Sequence, residues 1–213
     1  MPAGLKSSDG GMTPLIAGYR AFREGRWSVE HERYVELAQK GQRPDTLVIA
    51  CSDSRSDPAT IFNARPGELF VVRNIAAIVP PLEIDGAHHG TSAAIAFAVL
   101  VLNVRNILVL GHAQCSGVAA ALDRSIGNSV PFLRSWIDLL APAVERSAGL
   151  TGEAAHTHLE RDSVLLSMER LMSYPFIAER VRAGSLAIHG ARFGIADGKL
   201  EIFDSIAKKF VTV

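Results

Sequence analysis

The chain has 213 residues, and its 22 basic side chains balance 22 acidic ones to leave no formal net charge. A nucleic-acid-binding surface normally shows itself as a basic excess, so that class is disfavoured from the start. Hydrophobic residues at 48% and charged residues at 21% fit a soluble globular protein whose length suits one sizeable core better than two.

Met1 to Met12 is polar, with Gly and Ser, and lacks a basic start followed by an apolar run. It reads as a flexible segment and not as a secretory signal, leaving residues 13–213 as a single α/β domain. Pro14 to Gln39 mixes apolar and charged residues at helical spacing (Leu15, Tyr19, Phe22, then Tyr34, Leu37), so one or two helices are expected, broken near Gly25. Their apolar surface is too small for a core of their own, which points to packing on the rest of the chain or on a second subunit.

The continuous apolar run from Thr46 to Cys51 reads as a strand buried on both faces. A short helix follows at Pro58, and Leu69 to Arg73 is a second strand. The alanine-rich stretch Thr91 to Asn103 reads as a helix with Thr91 or Ser92 as N-cap. Its apolar run, Ala93 to Leu102, is too short to span a bilayer, so a cytoplasmic protein with no membrane partner is expected. Asn106 to Leu110 is a third buried strand and leads into a helix near Cys115. Two or three helices are expected between Val130 and Arg182, with His156 and His158 on a surface helix. Ser185 to His189, with His189 in the core, and Leu200 to Phe203 read as late strands joined through an Asp197-Gly198 turn. Strands alternating with helices argue for a central, mostly parallel sheet flanked by helices. Chemistry in such sheets sits beyond the carboxyl ends of the strands.

Two motifs stand at those ends. Cys51-Ser-Asp53-Ser-Arg55 follows the first strand. Residues two apart on an extended chain point the same way, so Cys51 and Asp53 face one site and Arg55 can grip the Asp53 carboxylate. Gly111-His112-Ala-Gln-Cys115 follows the third strand, with Gly111 allowing a sharp turn there. A thiol at a helix N-terminus is favoured as thiolate by the helix dipole and by a metal. Two sulfurs and one imidazole suit zinc, and three protein ligands leave a fourth position for water, the mark of a catalytic site. Zinc lowers the pKa of bound water to roughly 7. The alternatives for Cys51 and Cys115 are two inert core thiols or a transient disulfide. For Asp53 and Arg55 the alternative is a structural ion pair, and for Gln42 a solvated loop residue. His88 and His89 read as a solvated pair, and Arg73 and Asn74 as structural hydrogen-bonders.

Cys-x-Asp-x-Arg followed far downstream by His-x-x-Cys resembles the pattern of β-class carbonic anhydrases. The resemblance extends through Pro66 to Ala76, Gly111 to Val118, Ser173-Tyr-Pro175 and Leu186 to Gly190. It implies one Zn2+ per chain held by Cys51, His112 and Cys115, and an Asp53–Arg55 dyad that keeps Asp53 off the metal and lets it orient the zinc-bound hydroxide. It also implies that Gln42 binds bicarbonate, from the neighbouring subunit of a homodimer or tetramer, and that Phe70 lines an apolar pocket for carbon dioxide. The implied reaction is reversible hydration of carbon dioxide to bicarbonate and a proton.

The chain also departs from the family pattern. Phe97 stands where plant-like members often carry Tyr, Ser116 replaces a glycine, Ala77 stands where Asn is frequent, and Ala191-Arg192 occupies a place where an aromatic is common. Val48 stands where members with an inhibitory bicarbonate site carry Trp, so no such site is expected. The departures at Phe97 and Ala191 leave room for a carbonyl sulfide or carbon disulfide hydrolase on the same scaffold. A noncatalytic zinc or redox-sensing module is the alternative of another class.

Overall fold

The computed structural model describes residues 11–85, 88–123, 125 and 130–213; most of the segment read as a flexible N-terminus lies outside them. Two compact units divide at Gln42. The first holds helices α1 (Thr13–Glu24) and α2 (Arg26–Lys40), hinged at Gly25 as expected. Neither helix has a buried residue. Within the unit Phe22 and Tyr34 pack on Trp27 or on each other, and the Arg23 guanidinium lies 4.9 Å from the Trp27 ring centroid.

The second unit, from Arg43 onward, is built on a six-stranded sheet ordered β2-β1-β3-β4-β5-β6. These strands are β1 (Thr46–Cys51), β2 (Leu69–Asn74), β3 (Asn106–His112), β4 (Ala187–Phe193), β5 (Leu200–Asp204) and β6 (Lys209–Thr212). β2, β1, β3 and β4 run parallel, whereas β5 and β6 add antiparallel at one edge. β6 has no counterpart in the sequence reading, because Lys208 and Lys209 break its apolar run. The apolar run of β1 has the predicted cause: Leu47, Val48, Ile49 and Ala50 are all fully buried. Leu47 and Ile49 join Ile107, Val109, Val164 and Ile177 on one side, while Val48 and Ala50 join Leu110 and Ala191 on the other.

The helices of this unit are α3 (Pro58–Ile61), α4 (Gly90–Ala96), α5 (Ser116–Leu122), α6 (Leu133–Ile137), α7 (Ala141–Arg146), α8 (Gly152–Leu171) and α9 (Pro175–Arg182). α4 runs into a π-helical turn, Phe97–Val101, and its N-cap is His89 and not Thr91 or Ser92. Among the described residues, four α-helices, not two or three, lie between Val130 and Arg182. α8 is not the surface helix expected from its histidines. It is buried at Ala155, Leu159, Glu160, Asp162, Ser163, Val164, Leu166, Ser167 and Leu171, although His158 itself is exposed. A helix buried on several sides shows no single apolar stripe, which hid its position from the sequence.

Two strand glycines let α8 approach the sheet. A Cβ on Gly111 would stand 2.7 Å from Val164 Cγ2, and one on Gly190 would stand 2.8 Å from Val164 Cγ1 and 2.5 Å from Met168 Sδ. Gly111 is therefore required by close packing within β3 and not, as the sequence suggested, by a sharp turn. His189 is exposed on β4, contrary to its expected core position, and its ring contacts Asn106 Oδ1.

Gly190→Ala drives a methyl group into Val164 and Met168. It is expected to lower unfolding free energy by about 1–3 kcal/mol in urea denaturation; an unchanged midpoint would show that α8 can move away from the sheet.

Candidate metal centre

β1 and β3 are adjacent and parallel, so their carboxyl ends deliver Cys51 and His112 to one place. Past β3 the chain turns through Gln114, whose φ of 54° is left-handed, and reaches Cys115 as the N-cap of α5. The ligand-type atoms of Cys51, His112 and Cys115 all lie within 4.8 Å of one another, and all three residues are buried.

The distances fit a tetrahedral metal ion. The two sulfurs are 3.9 Å apart, and two Zn–S bonds of about 2.3 Å at the tetrahedral angle put sulfurs about 3.8 Å apart. A disulfide would need roughly 2.05 Å, and both cysteines are free. His112 Nδ1 lies 2.8 Å from the Ala113 carbonyl oxygen and donates to it, so in the neutral imidazole Nε2 is the acceptor nitrogen. Nε2 is buried and has no hydrogen-bond partner among the described residues. A buried acceptor left unpaired is costly, and a cation between it and the two sulfurs relieves that cost. Two sulfurs and one nitrogen form a donor set that zinc takes.

The electrostatics also suit a cation. The Cys115 thiol hydrogen-bonds to Cys51 and holds the Cys51 thiol far below its ordinary pKa, with His112 adding to the effect against burial. The same hydrogen bond, reinforced by burial, pushes Cys115 up. The pair thus shares one proton where a metal would displace it. Burial lowers the His112 pKa, but contacts with Cys51, the Ala113 carbonyl and Asp53 outweigh it, and the net shift is upward.

Asp53 is held as the spacing of its motif suggested. Arg55 Nε donates to Oδ1 at 3.0 Å and Nη2 to Oδ2 at 2.8 Å, and the Arg55 backbone N–H donates to Oδ1 at 2.9 Å. Those bonds push the carboxyl well below the usual carboxylate range. Asp53 Oδ2 remains 4.0 Å from His112 Nε2, so the carboxylate stands beside the ligand cluster while engaged by Arg55. Arg55 Nη2 also approaches the Gln114 carbonyl at 3.4 Å, linking the two motif segments.

Arg73 and Asn74 are structural, as expected. Arg73 Nε donates to the Cys51 carbonyl at 2.8 Å and Nη2 to the Asp53 carbonyl at 2.6 Å, bracing the first motif. Asn74 exchanges two hydrogen bonds with the Ile78 backbone and fixes a turn in which Ala76 and Ala77 take left-handed φ of 64° and 54°. Asn tolerates that conformation better than Ala. Ser52, Asn74, Ile75, Trp136, His88 and His89 are among the residues lining a cleft of about 590 Å3. His89 Nε2 lies 2.7 Å from Asp85 Oδ1, so the ring is hydrogen-bonded to a carboxylate and not simply solvated.

Phe70 and Phe97 stack on each other with centroids 5.9 Å apart, and Phe97 is 44% exposed. Phe70 pairs with Leu47, four residues before Cys51 along the strand, or about 13 Å from it. The structure thus brings Cys51, Asp53, Arg55, His112 and Cys115 together and leaves Phe70 and Phe97 apart from them within one chain. Gln42 is exposed at the end of the N-terminal unit.

Sequence reasoning missed Glu160. This α8 residue is 2% exposed, and its Oε1 lies 3.4 Å from the Cys115 backbone N–H. Arg192 of β4 donates to its Oε2 from Nε at 2.9 Å and Nη2 at 2.7 Å.

Comparisons with known proteins agree with this geometry. A family model described as carbonic anhydrase matches residues 46–200. Beta carbonic anhydrase 3 of Arabidopsis thaliana is 37% identical over 197 residues, covering 89% of this chain and 76% of that protein. The solved β-carbonic anhydrase CcaA superposes with a TM-score of 0.88 at 32% identity, over 95% of this chain and 92% of that one. A structure from a study of two tetrameric β-carbonic anhydrases of the ascomycete Sordaria macrospora gives 0.78 at 31% identity, over 90% and 96%. The chain belongs to the β-carbonic anhydrase family.

The lowered folded pKa of Asp53 means that its pair with Arg55 contributes stability above the ordinary unfolded pKa of about 3.9, and loses it only as pH falls through the lower folded value. Carboxyl carbon-13 NMR is expected to show no Asp53 titration above about pH 4 in the parent, and a rise toward the ordinary value in Arg55→Ala. An ordinary midpoint in the parent would contradict the clamp.

Proposed function

We propose that the protein catalyses reversible hydration of carbon dioxide to bicarbonate and a proton, with Cys51, His112 and Cys115 holding one Zn2+ per chain. The observation that carries this reading is the buried cluster of two sulfurs and an unpartnered imidazole nitrogen beside a carboxylate kept anionic by Arg55. Zinc there would lower the pKa of water toward neutrality and so supply a nucleophile near pH 7.

The chain's own residues do the rest. Asp53 accepts a hydrogen bond from the attacking water and aims its lone pair at the carbon. It remains a pure acceptor at working pH because Arg55 suppresses its protonation. Arg55 also spans both carboxylate oxygens, which keeps Asp53 available to the water. The proton leaves to solvent.

Phe70, Phe97 and Gln42 act, in this reading, from a second copy. Phe70 and Phe97 supply an apolar wall for carbon dioxide, and Gln42 hydrogen-bonds bicarbonate. The support is the strand register that separates Phe70 from Cys51 in one chain, together with two N-terminal helices that have no buried residue. The active unit is then a homodimer or a tetramer built from dimers. No helix among the described residues is long and apolar enough to cross a membrane. Two free thiols that must stay reduced to bind metal suit the cytoplasm.

Stopped-flow hydration by the purified protein tests the reading. Fast turnover is expected, falling more than about 100-fold in Asp53→Asn, which keeps shape but can donate where an acceptor is needed. Full activity in that variant would remove Asp53 from the mechanism. Sulfide release from carbonyl sulfide outpacing carbon dioxide hydration in the parent would overturn the substrate.

A further inference from the structure

The structure contains a second charged system beside the metal centre, separate from the Asp53–Arg55 pair. Glu160 sits near the middle of α8, its side chain 2% exposed. A carboxylate buried to that degree is expensive unless it is paired and hydrogen-bonded. Arg192 provides the pairing through two donors onto Oε2. Arg192 is itself 12% exposed and places Nη1 on Glu201 Oε2 at 3.1 Å. Glu201 is gripped in turn by Arg161, with Nε at 3.2 Å and Nη2 at 2.5 Å. Charges alternate from the surface inward and end at Glu160.

Both Arg192 bonds fall on Oε2, so Oε1 is left for the Cys115 backbone N–H. That N–H belongs to the first residues around α5 and has no partner within the helix. Glu160 also lines the small cavity bounded by Cys51, Gly111, His112, Cys115 and Val118.

We propose that Glu160, oriented by Arg192, is a positioning residue for Cys115: its carboxylate holds the ligand's backbone N–H and so sets where the thiolate points. The inference rests on the zinc reading above. Arg192 provides the rigid fork that keeps Oε2 occupied and Oε1 free, and Glu201 keeps Arg192 from swinging away. Arg161, at the exposed end, directs its guanidinium to Glu201.

The test uses the zinc-loaded protein with Glu160→Gln, Arg192→Met and, as a control, Arg161→Met. Gln at 160 can offer oxygen to Arg192 or to the Cys115 N–H but must turn its amide donor toward the other. Met at 192 keeps the packing of the stem and removes the fork. Two readouts are taken besides activity: the rate of zinc loss to excess chelator, and the thiolate-to-metal absorption band after replacement by cobalt(II). Zinc loss is expected to accelerate about 10–100-fold in Glu160→Gln and Arg192→Met, with a changed cobalt band, and to stay within about twofold in Arg161→Met. Arg192→Lys, which keeps charge without the fork, is expected to fall between them, and it serves as the test if the Met variant does not fold. Folded variants that release zinc at the parental rate with an unchanged cobalt band would reduce the pair to a structural ion pair and overturn the proposal. A parent chain that holds no zinc would overturn the function reading as well, so the two failures are distinguishable.

Discussion

Two thiols and an imidazole nitrogen buried within 4.8 Å of one another impose the constraint on which the rest of the structure depends. Packed in a buried site, these groups are poorly satisfied by each other: the sulfurs contest one proton, and His112 Nε2 has no hydrogen-bond partner among the described residues. A cation resolves both difficulties. Holding the three groups in place without it requires a rigid frame, and the frame is the end of two adjacent parallel strands whose apolar residues are fully buried.

The frame is reinforced from three directions. Arg73 ties the carbonyls of Cys51 and Asp53 to β2. Arg55 bridges from Asp53 to the Gln114 carbonyl. α8 closes the third side, where Gly111 and Gly190 remove the side chains that would hold it off the sheet. That close approach also brings Glu160 to Cys115. Packing and electrostatics are therefore linked through one helix: the contact that completes the core places a carboxylate against the ligand loop.

The sequence made much of this legible because the chemistry lies in short local motifs at strand ends. The apolar run Thr46 to Cys51 marked a strand, and Cys-x-Asp-x-Arg set both the shared face of Cys51 and Asp53 and the Arg55 grip. The charge network behind the site was not legible. Glu160, Arg192 and Glu201 come from α8, β4 and β5, and nothing in sequence spacing joins them. α8 carries buried Glu160 and Asp162 among its apolar residues, so its pattern resembled that of a solvated helix. Arg192 was visible only as a departure from an aromatic position. Phe70 and Phe97 were legible as residue types but not in their separation from Cys51, because register depends on pairing across strands and not on neighbours along the chain.

The central claim, that Cys51, His112 and Cys115 jointly hold one zinc with a position left open, is tested most directly by zinc-edge X-ray absorption on the purified protein with its metal counted. The account predicts one zinc per chain with two sulfurs at about 2.3 Å, one imidazole nitrogen at about 2.0 Å and one further light atom in the first shell. A zinc-free protein with a Cys51–Cys115 disulfide, or zinc whose shell lacks two sulfurs, would contradict it.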